Sequence, residues 1–258
     1  VKLTFLGTGT SYGVPQIGCH CAVCTSADPR DRRTRSGAVV ETDGGARLLI
    51  DTPPELRLQL TAAGIDDIDA VLYTHEHADH THGIDDLRAI SQRRGASVPV
   101  HGPATTLESL ARRFPYIFDG SVPTPGTNKP EGIFHALTAG TAVRIADAEV
   151  MPVSVPHGPM AVLGYRIGGL AYVTDAKALP DEALALLRGA RVLVLNALLR
   201  KAHPTHLSIA EAVETAKRVG AARTFLTHLT HGTSHAALAA ELPAEVQPAY
   251  DGLIVQVD

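Results

Sequence analysis

Short apolar runs, each stopped by a polar or glycine-rich break, recur along this chain and set its plan. The run Ala70-Val71-Leu72-Tyr73 reads as a buried strand. Residues 150–156 alternate apolar and other side chains, the period of a strand with two different faces. The first half reads as strands joined by short turns, followed by helical patterns. Those patterns predict helices over 54–63, from 82 or 83 to 93, and over 104–113. The second half repeats strands and helices. Ser208-Ile209-Ala210-Glu211 is a capping box, which predicts a helix to 219 stopped by Gly220. No long linker divides the pattern, so it predicts one α/β domain over 1–258. Residues 114–131 are punctuated by Pro115, Pro123, Pro125, Gly126 and Pro130 and are expected to form a long loop. Phe114, Tyr116 and Phe118 cluster there. They line a pocket or pin the loop to the core, and pinning is the simpler expectation.

Composition narrows the function classes. An apolar share of 45% over 258 residues supports a sizeable core. The net charge is −4, with no basic block, which argues against a nucleic-acid partner. Aromatic residues make up 4%, leaving few platforms for stacking on single strands. No stretch approaches the roughly 20 apolar residues of a membrane span. The chain enters a strand without a basic start and apolar core, so a cytoplasmic protein is expected.

The chemistry concentrates in Thr74-His75-Glu76-His77-Ala78-Asp79-His80, directly after the 70–73 strand. Sites in α/β proteins are built at the C-terminal ends of strands. Imidazole and carboxylate are ligands for zinc, manganese and iron. His75 and His77, two apart in extended chain, point to one side. Asp79 and His80 follow where the chain turns, so one pair can serve one metal and the other pair a second.

This H-x-H-x-D-H pattern resembles the metallo-β-lactamase fold. That resemblance implies an αββα sandwich, two mixed sheets flanked by helices. It also implies three later ligands at strand ends, and His157, Asp175 and His228 occupy those contexts in that order. Leu3-Thr4-Phe5-Leu6-Gly7-Thr8-Gly9-Thr10 is similar to the superfamily's opening strand and glycine turn, and Leu48-Leu49-Ile50-Asp51-Thr52 to its strand ending in a supporting Asp. By resemblance, His75, His77 and His157 bind one divalent metal, zinc or manganese. Asp79, His80 and His228 bind the second, and Asp175 bridges. Asp51 is the candidate second acceptor behind a ligand histidine. Two such ions about 4 Å apart share a hydroxide that attacks the substrate. Set against Asp79, Asp175 and that hydroxide, they leave a charge of about +1, which suits an anionic phosphoester.

All three cysteines fall within Gly18-Cys19-His20-Cys21-Ala22-Val23-Cys24. Such spacing in a cytosolic enzyme reads as metal binding. Three thiolates need a fourth ligand for tetrahedral zinc. His231, three residues after His228, is the candidate, with His20 as rival. A structural zinc loop is therefore expected around 18–25. The cysteine cluster, followed late by T-H-x-x-H, resembles the PhnP-like branch, the phosphoribosyl 1,2-cyclic phosphate phosphodiesterases. There the cluster and the later His hold a structural zinc.

The same resemblance makes His206 the proton donor to the leaving oxygen, with His203 the weaker alternative. Asp79 is expected to serve catalysis as well as binding metal. Asn196 stands where relatives are expected to carry an acid that orients the catalytic His. His82, His101, His135 and His235 read as surface or structural residues, Arg88 as a solvated helix charge, and 250–252 as a strand-entry turn. The expected function is hydrolysis of a small, anionic, possibly cyclic phosphodiester. Alternatives are a tRNase Z-like endonuclease, a glyoxalase II-like thioesterase or another hydrolase of this fold. A non-catalytic metal-binding protein ranks last. A homodimer is an open option.

Overall fold

The computed structural model describes residues 1–122, 130 and 132–257. Among them, fourteen strands form two seven-stranded sheets. The first holds β1 (Lys2–Gly7), β2 (Gly37–Glu41), β3 (Arg47–Ile50), β4 (Ala70–Leu72), β5 (Val98–Gly102), β6 (Gly132–Ala136) and β14 (Ile254–Gln256), in the order β14-β1-β2-β3-β4-β5-β6. The second holds β7 (Val143–Ile145), β8 (Ala148–His157), β9 (Met160–Ile167), β10 (Leu170–Val173), β11 (Val192–Asn196), β12 (Arg223–Thr227) and β13 (Val246–Pro248), running from β13 back to β7 in sequence order. Each sheet is mixed. Strands β3 to β6 and β10 to β13 run parallel, and the remaining pairs run antiparallel.

Period-2 alternation explains the layers, because both faces of these strands are apolar. Ala38, Val40, Leu48, Ile50, Ala70 and Leu72 face the second sheet and join its Leu170, Tyr172, Val192 and Val194 in a central core. Phe5 and Phe225 meet across it with ring centroids 5.9 Å apart. The intervening Val39, Leu49 and Val71 point outward. They are covered by α1 (Leu56–Ala63), α3 (Arg88–Arg94), α4 (Ala104–Arg113) and α5 (Pro115–Phe118), while α2 (Ala78–Thr81) carries part of the histidine motif. On the far side Ala171, Val173, Leu193 and Leu195 are covered by α6 (Asp181–Leu187), α7 (Ile209–Val219) and α8 (His235–Glu241). The layering is helix, sheet, sheet, helix, as expected. No helix among the described residues is long and apolar enough to cross a membrane.

The helix at 54–63 begins two residues later, at Leu56, and ends on Gly64 in the left-handed conformation. The single helix expected from 82 or 83 to 93 is instead broken. The chain makes α2, a 3-10 turn at Ile84–Leu87, and then α3. The reason is close packing at Gly83, whose N–H donates to the Thr52 carbonyl and where a Cβ would collide with the Pro53 carbonyl. The helices at 104–113 and 209–219 lie where the pattern put them, and Ser208 and Glu211 cap each other reciprocally. Part of the expected 114–131 loop is helical, at α5. Phe114, Tyr116 and Phe118 pack on the outer core, and Phe118 stacks on Phe134 at 3.9 Å. Pro123, Pro125 and Gly126 lie outside the described residues.

Candidate active site

The C-terminal ends of the parallel strands converge at one edge of the sandwich, and every histidine of the 74–80 motif sits there. After β4, His75 is buried and His77 is exposed, so the cluster opens to solvent on the His77 side. His157 ends β8, Asp175 follows β10 and His228 follows β12. Asp51, Asp175 and His228 all adopt positive φ, 62°, 59° and 56°. Non-glycine residues pay for that conformation with strain of about 1–3 kcal/mol, and surrounding structure must hold them there.

Ligand-type atoms gather in overlapping sets. His75, His77 and His157 form one; Asp79, His80 and His228 form another; Asp175 lies in sets with His75 and His80 and with His157 and His206. The Asp175 carboxylate is 3.3 Å from His80 Nε2 and 3.2 Å from His228 Nε2. Asp79 is 3.4 Å and 3.6 Å from the same two nitrogens.

The rings are aimed from behind. His80 Nδ1 donates to Asp51 Oδ2 at 2.7 Å, which turns Nε2 inward. Thr74 donates from both its N–H and its hydroxyl to Asp51, and its hydroxyl lies 2.9 Å from His75 Nδ1. His157 Nδ1 donates to the Thr205 carbonyl at 3.1 Å. Nε2 of His75, Nε2 of His80 and both ring nitrogens of His228 are buried without a hydrogen-bond partner. Orphaned buried nitrogens are costly unless something fills the space between them. Converging imidazole and carboxylate atoms fit divalent cations.

Electrostatics agree. Burial alone would lower the basicity of His80, but the carboxylates of Asp175, Asp79 and Asp51 outweigh it and hold His80 well above the usual histidine range. Burial would raise Asp175, yet the charges of His228 and His80 and the hydrogen bond from His206 hold it well below the usual carboxylate range. Burial lowers His75, His77, His157 and His206 and so favours their neutral forms, which together with the ionised Asp79 and Asp175 suit a bound cation.

His206 stands at the same floor. Its Nε2 lies 2.9 Å from Asp175 Oδ1, and its Nδ1 is 2.8 Å from Thr205 Oγ1 and 3.3 Å from His203 Nδ1. Asn196 does not touch it. Its Oδ1 accepts from the Ala176 N–H at 2.7 Å, and its Nδ2 donates to the Ala176 carbonyl at 3.0 Å. Asn196 thus braces the turn behind Asp175 through Ala176.

The cysteine loop folds against the end of β12. Cys19, Cys21 and Cys24 Sγ lie 3.3, 3.3 and 3.5 Å from His231 Nδ1. Tetrahedral zinc with ordinary Zn–S and Zn–N bonds places sulfur and nitrogen about 3.5 Å apart. The four ligands fit that ion, and exposed His20 lies outside the group. The Cys24 N–H and then His231 draw the Cys21 thiol down to about 6. Arg33, fully buried, donates to the Thr230 and Thr233 carbonyls on either side of His231. Sequence reasoning passed over Arg33, Thr74 and Thr205. Only the adjacency of Thr74 and Thr205 to site histidines could have marked them.

Of the remaining histidines, His101 stacks on His135 at 4.6 Å and His235 meets Tyr250 edge-on, both away from this floor. Arg88, the first residue of α3, pairs with Asp85 in the preceding 3-10 turn. Asp251 accepts from the backbone and hydroxyls of Thr8 and Thr34, which ties the last turn to the first strand.

Comparison with known proteins places this arrangement. A crystal structure described as a new diphosphatase from the PhnP family is 41% identical with a TM-score of 0.91, over 100% of this chain and 98% of that one. Zinc-bound PqqB from Methylobacterium extorquens shares the fold at 20% identity and a TM-score of 0.82, over 99% and 100% of the two chains. An octanoyltransferase of Porphyromonas gingivalis is 41% identical over 263 residues, 100% of this chain but 52% of that protein, so this chain spans about half its length. A model described as the β-lactamase superfamily domain matches residues 46–229. The chain therefore belongs to the β-lactamase superfamily and has the metallo-β-lactamase fold.

Proposed function

We propose that this chain is a metal-dependent phosphodiesterase acting on a small anionic substrate. The observation that carries the reading is the pair of three-residue ligand sets joined through Asp175, with His206 beside that same carboxylate. His75, His77 and His157 would hold one divalent ion, and Asp79, His80 and His228 a second, with Asp175 between them. Zinc and manganese both suit these ligands. Bound there, the two ions would supply Lewis acidity and activate water for attack at phosphorus.

The protein's own groups do the rest. Asp51 and Thr74 fix the rings of His80 and His75. Asp79 lines the pocket and orients the incoming water. His206 holds a proton at Nε2, aimed at the centre, and passes it to the departing ester oxygen. Thr205 fixes that ring from the Nδ1 side. Cys19, Cys21, Cys24 and His231 would hold a structural zinc beside the pocket. The cavity above the floor, about 660 Å³, suits a nucleotide-sized ligand.

A second reading, cleavage of a diphosphate, is favoured by the 41% identity to a PhnP-family diphosphatase. The octanoyltransferase name belongs to a protein about twice as long as the match and is not carried over.

Elemental analysis paired with turnover tests the reading. About three ions per chain and hydrolysis of bis(p-nitrophenyl) phosphate, lost in His77→Ala, are expected. Metal-replete protein inert on phosphodiesters but active on a diphosphate would replace the first reading by the second.

A further inference from the structure

The three histidines of the 74–80 motif are not held alike. Asp51 reaches the ring of His80 and Thr74 that of His75. Among the described residues no hydrogen bond reaches the ring of His77, the exposed one of the three. That ring meets those of His75 and His157, with centroids 4.5 and 5.1 Å away. Those two rings are its partners in the ligand set, and they supply no bond that fixes its direction.

His77 is gripped by its backbone instead. Its carbonyl accepts from the Thr81 hydroxyl at 2.9 Å and from the His80 N–H at 3.1 Å. The carbonyl before it, of Glu76, accepts from Arg113 Nη1 at 2.7 Å. Arg113 is the last residue of α4, a helix outside the motif that buries Leu107 and Leu110 in the outer core. Arg113 Nη2 also lies 3.6 Å from Glu76 Oε2, and the neighbouring Phe114 ring meets the His82 ring edge-on at 5.9 Å. The end of α4 thus touches both flanks of the segment that carries His77, Asp79 and His80. The peptide joining Glu76 to His77 is planar, so a bond that fixes its carbonyl also restricts φ of His77 and the direction of its Cβ. Charge alone would argue against a guanidinium here, because a cation beside two divalent ions repels them. A charge-assisted bond to the backbone has the opposite consequence, since it holds the ligand in place for them.

We infer that Arg113 is a positioning residue of the candidate metal centre: by holding the Glu76 carbonyl it sets the His77 ring for the ion shared with His75 and His157. The inference rests on the two-ion reading above and holds for either substrate. It ties the one motif histidine without a ring partner to a helix packed in the outer core.

Titrating the cobalt(II)-loaded full chain with a chelator tests it without turnover. Cobalt on the cysteines shows thiolate charge-transfer absorption, and cobalt on imidazoles and carboxylates does not, so the two sites are read separately. Arg113→Met should weaken cobalt binding at the histidine centre by about tenfold, the lower end for losing a group behind a metal ligand. Its thiolate absorption should stay parental, which also shows that the chain is folded. Arg113→Lys keeps a donor for the carbonyl and should recover most of the loss. Tighter cobalt binding in Arg113→Met would mean that the charge outweighs the grip. Unchanged binding with a raised KM for bis(p-nitrophenyl) phosphate would make Arg113 a substrate contact, and unchanged binding with parental kinetics a surface charge. Each of these three results would overturn the inference. A parent chain that holds cobalt on its cysteines alone would remove the two-ion reading and the role of Arg113 together; a parent that holds cobalt at both places keeps that reading, whatever Arg113→Met does.

Discussion

Replacing Asn196 tests whether Asp175 is held in place from behind. Asn196 ends β11 at 0% exposure, and both polar atoms of its amide bind one residue, Ala176. Ala176 is also fully buried, so water cannot take over either bond. Immediately before it, Asp175 keeps a φ of 59°, which persists only while its surroundings enforce it. Asn196→Ala leaves the buried Ala176 N–H unpaired, at about 1–3 kcal/mol, while the Ala176 carbonyl keeps its bond from the Leu207 N–H at 2.8 Å. The expected loss of stability is therefore about 1–3 kcal/mol, read from urea unfolding of metal-loaded protein. Turnover of bis(p-nitrophenyl) phosphate should fall by about tenfold or more, because a small shift of a ligand carboxylate misplaces the reacting atoms. Asn196→Asp sharpens the test. The charged carboxylate still accepts from the Ala176 N–H, but its other oxygen opposes the Ala176 carbonyl. Both bonds return only in the neutral acid. Its folded-state pKa must therefore be raised, and its deficit relative to the parent should shrink as pH falls and grow as pH rises. An Asn196→Ala protein with unchanged unfolding midpoint and unchanged turnover would refute the brace.

Three further outcomes follow from the same geometry. His206→Ala should lower kcat by about 10²–10⁴ on diesters with alkyl leaving groups but far less with p-nitrophenyl, whose phenolate departs unprotonated; equal losses would remove the proton-donor role. Arg33→Met strips donors from the Thr230 and Thr233 carbonyls and leaves buried Asp31 without its cation. It should cost about 3–5 kcal/mol in thermal or urea unfolding and speed zinc loss to a chelator; parental values in both assays would show that the clamp is idle. His101 is held down to about 4, first by burial and then by His135. Its folded-state value lies below the ordinary one, so its contribution is fully present above about pH 6.5 and is lost as pH falls toward 4. His101→Leu should flatten the stability profile over that window by at most about 3 kcal/mol. An identical slope in parent and variant would contradict the shift.

The sequence by itself was enough for the pieces that local chemistry determines. Alternating apolar positions placed the strands, because a strand's side chains change face at every residue. Ser208, Glu211 and Gly220 marked the ends of α7, because caps act within one turn of the chain. The 74–80 motif lay within seven residues, so its chemistry was readable without knowing what else approached it. His157, Asp175 and His228 were individually ambiguous and became candidates through resemblance, and His231 because three thiolates need a fourth ligand. Tertiary structure decided what depends on segments far apart in the chain. The helix expected after the motif was broken because Gly83 packs on Pro53, from a different turn of the fold. Asn196 proved to brace Ala176, since parallel pairing of β10 and β11 sets those residues side by side. Arg33 reached the His231 loop across nearly 200 residues, a contact that no local pattern encodes. Periodicity and capping report on neighbours along the chain. The aim of a buried polar side chain is set by whichever partner the packing brings within hydrogen-bond distance.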